Sequence, residues 1–370
     1  MNVLVLNAGS SSLKYKLFQG GAILDSGTVE RTGTPAQAAE QALRHLLDAG
    51  RKIEAIGYRV VHGGQEFREA TRVTPEILAR IRALGALAPL HNPMECDMIE
   101  AGMRRLPAVP AVAVFDTAFH ATLPEVAFTY ALPQALREEE GLRRYGFHGI
   151  SYRYVSERLF ALWGRGPQDT RVVICHLGSG ASACALQGGR SVDTSMGITP
   201  LEGLVMGTRS GDIDPGLLLH LLRVRNMDPA TLDDLLNYQS GLKGLSGRSN
   251  DVRDLEAAVQ SGEAKSELAL EVFAYRVRKY IGAYAAALGG LDALVFTGGI
   301  GEHSPGMRER ICRNLEYLGL VWNSEANGAA NGSETALHAP ESRLAVWVVP
   351  TDEERQIARE TAALIQNSPS

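Results

Sequence analysis

The chain has 370 residues, 45% of them hydrophobic, with 39 glycines and a formal net charge of −5. That length allows about two domains and a generous core, and the composition is that of an ordinary soluble α/β protein. Its basic residues are scattered among acids without long runs and no apolar stretch reaches the roughly 18 residues of a membrane span, which argues against nucleic acid or a membrane as partner.

The first element is a hairpin, VLVLNAGSSSLKYKLF (Val3 to Phe18), in which an apolar strand passes through a Gly/Ser turn into a second strand. The pattern returns as VVICHLGSGASACALQ (Val172 to Gln187); setting Asn7 against His176 puts Gly9 on Gly178, Ser10 on Ser179 and Leu17 on Leu186, and both segments run into Gln-Gly-Gly. Such a turn lays backbone N–H groups beside small hydroxyls and makes a concave anion site. Its double use predicts a duplicated domain that grips a polyphosphate from both sides.

Between the hairpins, Thr34-Pro35-Ala36-Gln37 predicts a capped helix with Pro at N1 and Gln at N3. AIGYRVVHGG (Ala55 to Gly64) reads as a strand with a polar tip, Thr74-Pro75 as another helix start, Met94 to Leu106 as a third helix and Ala111 to His120 as a buried strand. Beyond the second hairpin come a Gly, Asp and Pro-rich stretch, a long helix from Lys265 to Leu288 stopped by Gly289-Gly290, and an apolar strand running into a glycine turn (Leu291 to Pro305). A helix from Gly306 to Leu318, a polar surface loop from Asn323 to Pro340, a last strand, a turn capped by Asp352 and a terminal helix complete the chain. The pattern predicts an N-terminal domain of residues 1–118 plus 353–370 and a nucleotide-binding domain of residues 119–352.

Cys96, Cys175, Cys184 and Cys312 show no metal-ligand spacing. With no signal-peptide pattern at the start, reduced thiols and a cytoplasmic location are expected. Arg59 and His62, His91, Asp116 and His120, His148 and His176 each follow a short apolar run, the place where open α/β sheets put ligand sites. The histidines lack the local pairs of a zinc site and read as oriented hydrogen-bonding groups. GTRSGDIDPG (Gly207 to Gly216) and GGIGE (Gly298 to Glu302) are two further candidate loops, the second with N–H groups able to face a nucleotide. There is no P-loop, no complete dinucleotide fingerprint and no serine-hydrolase elbow.

NAGSSSLKYKLF, GYRVVHGG, FDTAFH, RRYGFHGISYRYV, HLGSGAS, TPLEGLVMGTRSGDIDPG, FTGGIGE and PTDEERQIARET together resemble the acetate kinases, in order from Asn7 to Thr361. The resemblance implies two duplicated ribonuclease H-like α/β domains of the actin, Hsp70 and sugar kinase type around an interdomain cleft. It also implies reversible, Mg²⁺-dependent transfer of the γ-phosphoryl of ATP to acetate, giving acetyl phosphate and ADP, with Mn²⁺ as an alternative ion and a homodimer as the usual assembly. Alternatives in acid choice are propionate and butyrate, and a non-catalytic ATP-switched binding protein is the alternative of another class.

By the same resemblance Arg59 and Arg209 hold the carboxylate and the transferring group, His148 donates to it, and Asp116 orients an arginine or acts as a weak base. Val61, Leu90, Phe147 and Pro200 enclose the acyl group, with His91 as a supporting polar group. Asn7 and Glu353 match the magnesium positions and Lys14 a phosphate contact. The nucleotide is expected along His176, Leu177, Gly178, Ser179 and Gly180, along Asp251, Val252 and Arg253, and along Gly299, Ile300, Gly301, Glu302 and His303. Ser179 and His303 stand where the family usually has Asn, and the stretch between Lys14 and Arg59 is shorter than in typical members.

Overall fold

The computed structural model describes residues 1–370 apart from Ser10, Ser11, Arg31, Thr32, Leu90 and 368–370. The chain divides into two compact units, one of Met1–Ala121, Phe147–Tyr154 and Asp352–Ser370, the other of Thr122–Gly146 and Val155–Thr351.

The first unit holds β1 (Asn2–Ala8), β2 (Ser12–Gln19), β3 (Ala22–Glu30), β4 (Ala55–Val60), β5 (Thr71–Arg72) and β6 (Ala111–Phe115) in the order β3-β2-β1-β4-β6-β5. β1 is antiparallel to β2 and parallel to β4, and β4 is parallel to β6. Alternation along β1 divides the core. Leu4 and Leu6 pack with Leu43 and Leu46 of helix α1 (Pro35–Asp48) and Ile99 of helix α3 (Asn92–Arg105), beside helix α2 (Pro75–Ala83). Val3 and Val5 face the other way, onto Ile357 and Ala358 of the terminal helix Glu353–Asn367. α1 starts in the expected capping box, Thr34 Oγ1 accepting from Gln37 N and the Gln37 side chain accepting from Thr34 N, and Thr74 caps α2.

The second unit repeats this plan with β7 (Arg171–Leu177), β8 (Ala181–Gln187), β9 (Arg190–Thr194), β10 (Ala293–Thr297), β11 (Thr335–Ala336) and β12 (Ala345–Val348), ordered β11-β12-β10-β7-β8-β9. β7 is antiparallel to β8 and parallel to β10, and β10 is parallel to β12. The two hairpins superpose with one slip. Ala8 pairs with Leu13 but Leu177 with Ala181, so the second turn is one residue shorter and Leu17 corresponds to Ala185 instead of Leu186. The bulges confirm the slip, lying after Leu17 in one sheet and after Ala185 in the other.

Some elements end earlier than the sequence suggests. The strand from Ala55 stops at Val60, giving way to a turn whose N–H groups bond to side chains, and that from Ala111 stops at Phe115, where Asp116 N bonds to the Val60 carbonyl. GGIGE is helical, within Gly298–His303, and Asn323–Pro340 is a short helix (Ser324–Ala329) and β11, ending in fully buried Leu337, not a surface loop.

Candidate active site

Within the first unit the chemistry gathers at the ends of β1, β4 and β6. Arg59 and Asp116 follow from parallel neighbours and meet in a two-point ion pair, Nε to Oδ1 at 3.2 Å and NH2 to Oδ2 at 2.5 Å. Asp116 is almost fully buried. Burial works against the charged guanidinium of Arg59, yet the carboxylates of Asp116 and Glu353 outweigh it and raise its pKa further. The pair is bidentate, the arrangement that sets a guanidinium most firmly.

His148 lies beside this pair through the backbone. Gly149 N donates to Asp116 O at 2.9 Å, and a Cβ on Gly149 would sit 2.2 Å from that oxygen, so glycine alone permits the approach. His148 itself has φ 58, a left-handed conformation that costs a non-glycine residue about 1 kcal/mol or more. Phe147, just before it, is buried, and its carbonyl accepts from His120 Nε2 at 3.0 Å, which assigns the proton of His120 to that nitrogen. Val61 is buried and donates its N–H to Glu95 Oε2 at 2.9 Å. His91, half-buried, precedes α3; Leu90 lies outside the described residues.

Asn7, near the end of β1, donates its amide to Glu354 at 2.9 Å and to Glu353 at 3.5 Å. Burial raises the pKa of Glu353, opposed by Arg59 and reinforced by Glu354. Lys14, exposed, pairs with Asn7 across the hairpin. Lys16 and Glu354, which sequence reasoning missed, belong here: Lys16 Nζ is 3.1 Å from both Asp352 and Glu354. The alternating pattern of β2 marks Lys16 as lying on the same face as Lys14, a usable signal.

In the second unit a cavity of about 430 Å³ is lined by Gly178, Ser179, Asp251, Val252, Arg253, Gly299, Ile300 and His303, all expected from the sequence, and by Asn250, Glu256 and Ser304, which were not. Asp251 caps the helix Val252–Gln260 by accepting from Arg253 N at 2.9 Å. His303 Nδ1 is 2.9 Å from Asn331 Oδ1. His176, Leu177, Gly180, Gly301 and Glu302 do not line the cavity. Glu302 turns back instead, its Oε1 accepting from Gly298 N at 2.8 Å and Thr351 N at 3.1 Å. Gly298, at φ 76, has the Leu177 carbonyl 2.8 Å from where a Cβ would stand.

Behind this loop Arg308 is fully buried. It donates to the carbonyls of Gly301 and Glu302 at 2.9 and 3.0 Å, to those of Ala330 and Asn327 at 2.9 and 3.0 Å, and to Asn327 Oδ1 at 2.8 Å. Burial lowers its pKa to about 10, which leaves it charged at neutral pH. Arg209 donates to the carbonyl of Pro200 at 3.2 Å. The aspartates of the same loop are structural: Asp212 accepts from Gly203 N and Tyr280 Oη, and Asp214 caps the helix Pro215–Val224.

A family model described as the Acetokinase family matches residues 36–359. An acetate kinase of Dictyoglomus turgidum is 46% identical over 397 aligned positions, covering 99% of this chain and 98% of the relative. The crystal structure of Porphyromonas gingivalis acetate kinase matches with a TM-score of 0.92 at 41% identity, covering 98% of this chain and 99% of that one. That of a propionate kinase from Francisella tularensis matches with a TM-score of 0.92 at 38% identity, with 98% and 99% covered.

Proposed function

This chain belongs to the acetokinase family and phosphorylates acetate with ATP, and from that premise we propose how its residues carry the reaction. A small carboxylic acid has a pKa near that of a Glu side chain, roughly 4 to 5, so the acetate nucleophile is ionised at neutral pH and needs no strong base. The barrier is repulsion between two anions, and fixed positive groups lower it. The acetate oxygen forms the new bond to phosphorus in line as the bond to the ADP oxygen breaks.

Arg59 and Arg209 bind the carboxylate and the transferring group, and His148 donates to the equatorial oxygens. Asp116 orients Arg59; both its oxygens are engaged by that guanidinium, which favours this role over proton transfer. We assign recognition of the methyl group to Val61, Phe147 and Pro200. Discrimination of one methylene in such a pocket is worth about 1–3 kcal/mol, so acetate is preferred over propionate without excluding it. The nucleotide occupies the cavity at Ser179, Arg253 and His303.

Asn7 and Glu353 fit Mg²⁺, with Mn²⁺ as alternative. They offer hard oxygen donors, and Glu353 is a half-buried carboxyl whose raised pKa a cation would lower. When bound, the ion would supply neutralisation of phosphate charge.

A cytoplasmic location accords with four buried free cysteines, and among the described residues no helix is long and apolar enough to cross a membrane. A homodimer accords with the exposed Leu217 and Val224, seven positions apart on one side of the helix Pro215–Val224 and suited to a second copy. Sedimentation at a mass of one chain at micromolar concentration would sink the dimer.

The observation that carries the catalytic reading is the bidentate Arg59–Asp116 pair at the ends of β4 and β6. The test is acyl phosphate trapping with hydroxylamine, using ATP and Mg²⁺ with acetate, propionate or butyrate in parallel. Product is expected to fall from acetate to propionate to butyrate. Product rising with chain length would overturn the pocket assignment, and ATP binding with no product from any acid would favour a nucleotide-switched binding protein.

A further inference from the structure

The first turn of α3 carries two buried polar side chains, Asn92 and Glu95, aimed at the segment that leaves β4. Asn92 closes a two-point clamp on His62, accepting from its N–H at 3.1 Å and donating to its carbonyl at 2.9 Å. Glu95 takes the preceding N–H, that of Val61, at 2.9 Å. A carboxyl buried to 3% exposure is costly to keep. Arg59 lies near enough to oppose that cost, and the Val61 N–H, which has left the sheet, would otherwise be an unpaired buried donor.

We propose that Glu95 is a positioning residue for the acyl pocket: through the Val61 N–H it sets where the Val61 side chain stands, and so how closely the pocket fits a two-carbon acid. This rests on the reading of Val61 as part of that pocket. The Val61 N–H lies past the last ladder residue of β4 and takes Glu95 as its acceptor, and a displacement well under 1 Å decides whether an added methylene fits. Asn92 acts one peptide further on, at His62, and Asp116 N holds the Val60 carbonyl at 3.0 Å, so Glu95 supplies the bond at the Val61 N–H between them.

The test compares Glu95→Gln, which keeps an acceptor at the same reach, with Glu95→Met, which keeps the length without one, and Glu95→Asp, which keeps the carboxyl but withdraws its oxygens. Val61→Ala serves as control, and each variant's fold is checked by thermal unfolding. The Met and Asp variants are expected to raise the KM for acetate about tenfold, the scale of one buried hydrogen bond left unmade. They should lower the acetate-to-propionate ratio of kcat/KM and leave the KM for ATP within twofold, whereas Gln stays near wild type. Either of the two variants decides the matter if the other fails to fold. A wild-type acetate KM in both, or a Gln variant as impaired as Met, overturns the proposal. If Val61→Ala shifts the acid preference while Met and Asp do not, the pocket stands and the role of Glu95 falls. If Val61→Ala shifts nothing, the pocket reading fails and the route through Val61 fails with it.

Discussion

Arg59 and Asp116 are separated by 57 positions in sequence and joined by two hydrogen bonds, one to each carboxylate oxygen. Asp116→Asn keeps the shape but leaves one acceptor and no charge, so a half-buried guanidinium loses its bidentate partner. Breaking such a pair costs about 3–5 kcal/mol, and some of that is expected in the transition state. The turnover number should fall at least ~100-fold with the KM for ATP little changed. Steady-state kinetics with near-normal kcat would remove Asp116 from the catalytic arrangement.

Arg209 donates to the Pro200 carbonyl, so its position is tied to a residue assigned to the acyl pocket. Arg209→Ala is expected to lower kcat by roughly 10³ or more, the scale seen when one donor to developing charge is removed. Its unfolding temperature should stay close to wild type. Full turnover by the variant would show that the arginine serves only the loop.

Glu95 holds its proton in the folded protein to about pH 7, against an ordinary value of 4.5: burial raises it, Arg59 and the Val61 N–H lower it, and Asp116 adds to the rise. Between these pH values the folded state binds more protons than the unfolded state. Stability from this group is therefore fully present below pH 4.5 and is lost as pH rises through 7, by at most about 3 kcal/mol. Urea unfolding at pH 5 and pH 8 should show that fall in the wild type and a smaller one in Glu95→Gln. Identical pH slopes would contradict the buried acid.

Arg308 spreads five donations over two turns of chain, bracing the carbonyl end of the helix Gly298–His303. Lysine offers one nitrogen and cannot reproduce the fork. Arg308→Lys is expected to raise the KM for ATP about tenfold and leave that for acetate unchanged, since the braced loop lines the cavity proposed for the nucleotide. Equal losses for both substrates would indicate general destabilisation instead.

Where an outcome depended on neighbours in sequence, the sequence determined it. Thr34 and Gln37 form their capping box within one helical turn, Gly289-Gly290 end the long helix with two positive φ angles, and both hairpins follow from strands meeting at a glycine turn. The family was legible for the same reason, since its motifs are contiguous blocks. What only tertiary structure decided is which polar groups face one another. Glu302, placed by its motif on the nucleotide, turns back to Gly298 and Thr351. Glu95 and Arg308 sit inside amphipathic helices whose pattern marks a buried face but not the loop it meets, and the one-residue slip between the hairpins shows only in strand pairing. Capping and turn formation are settled by local hydrogen bonds, whereas burial, charge pairing and pKa depend on strands brought together across long stretches of chain.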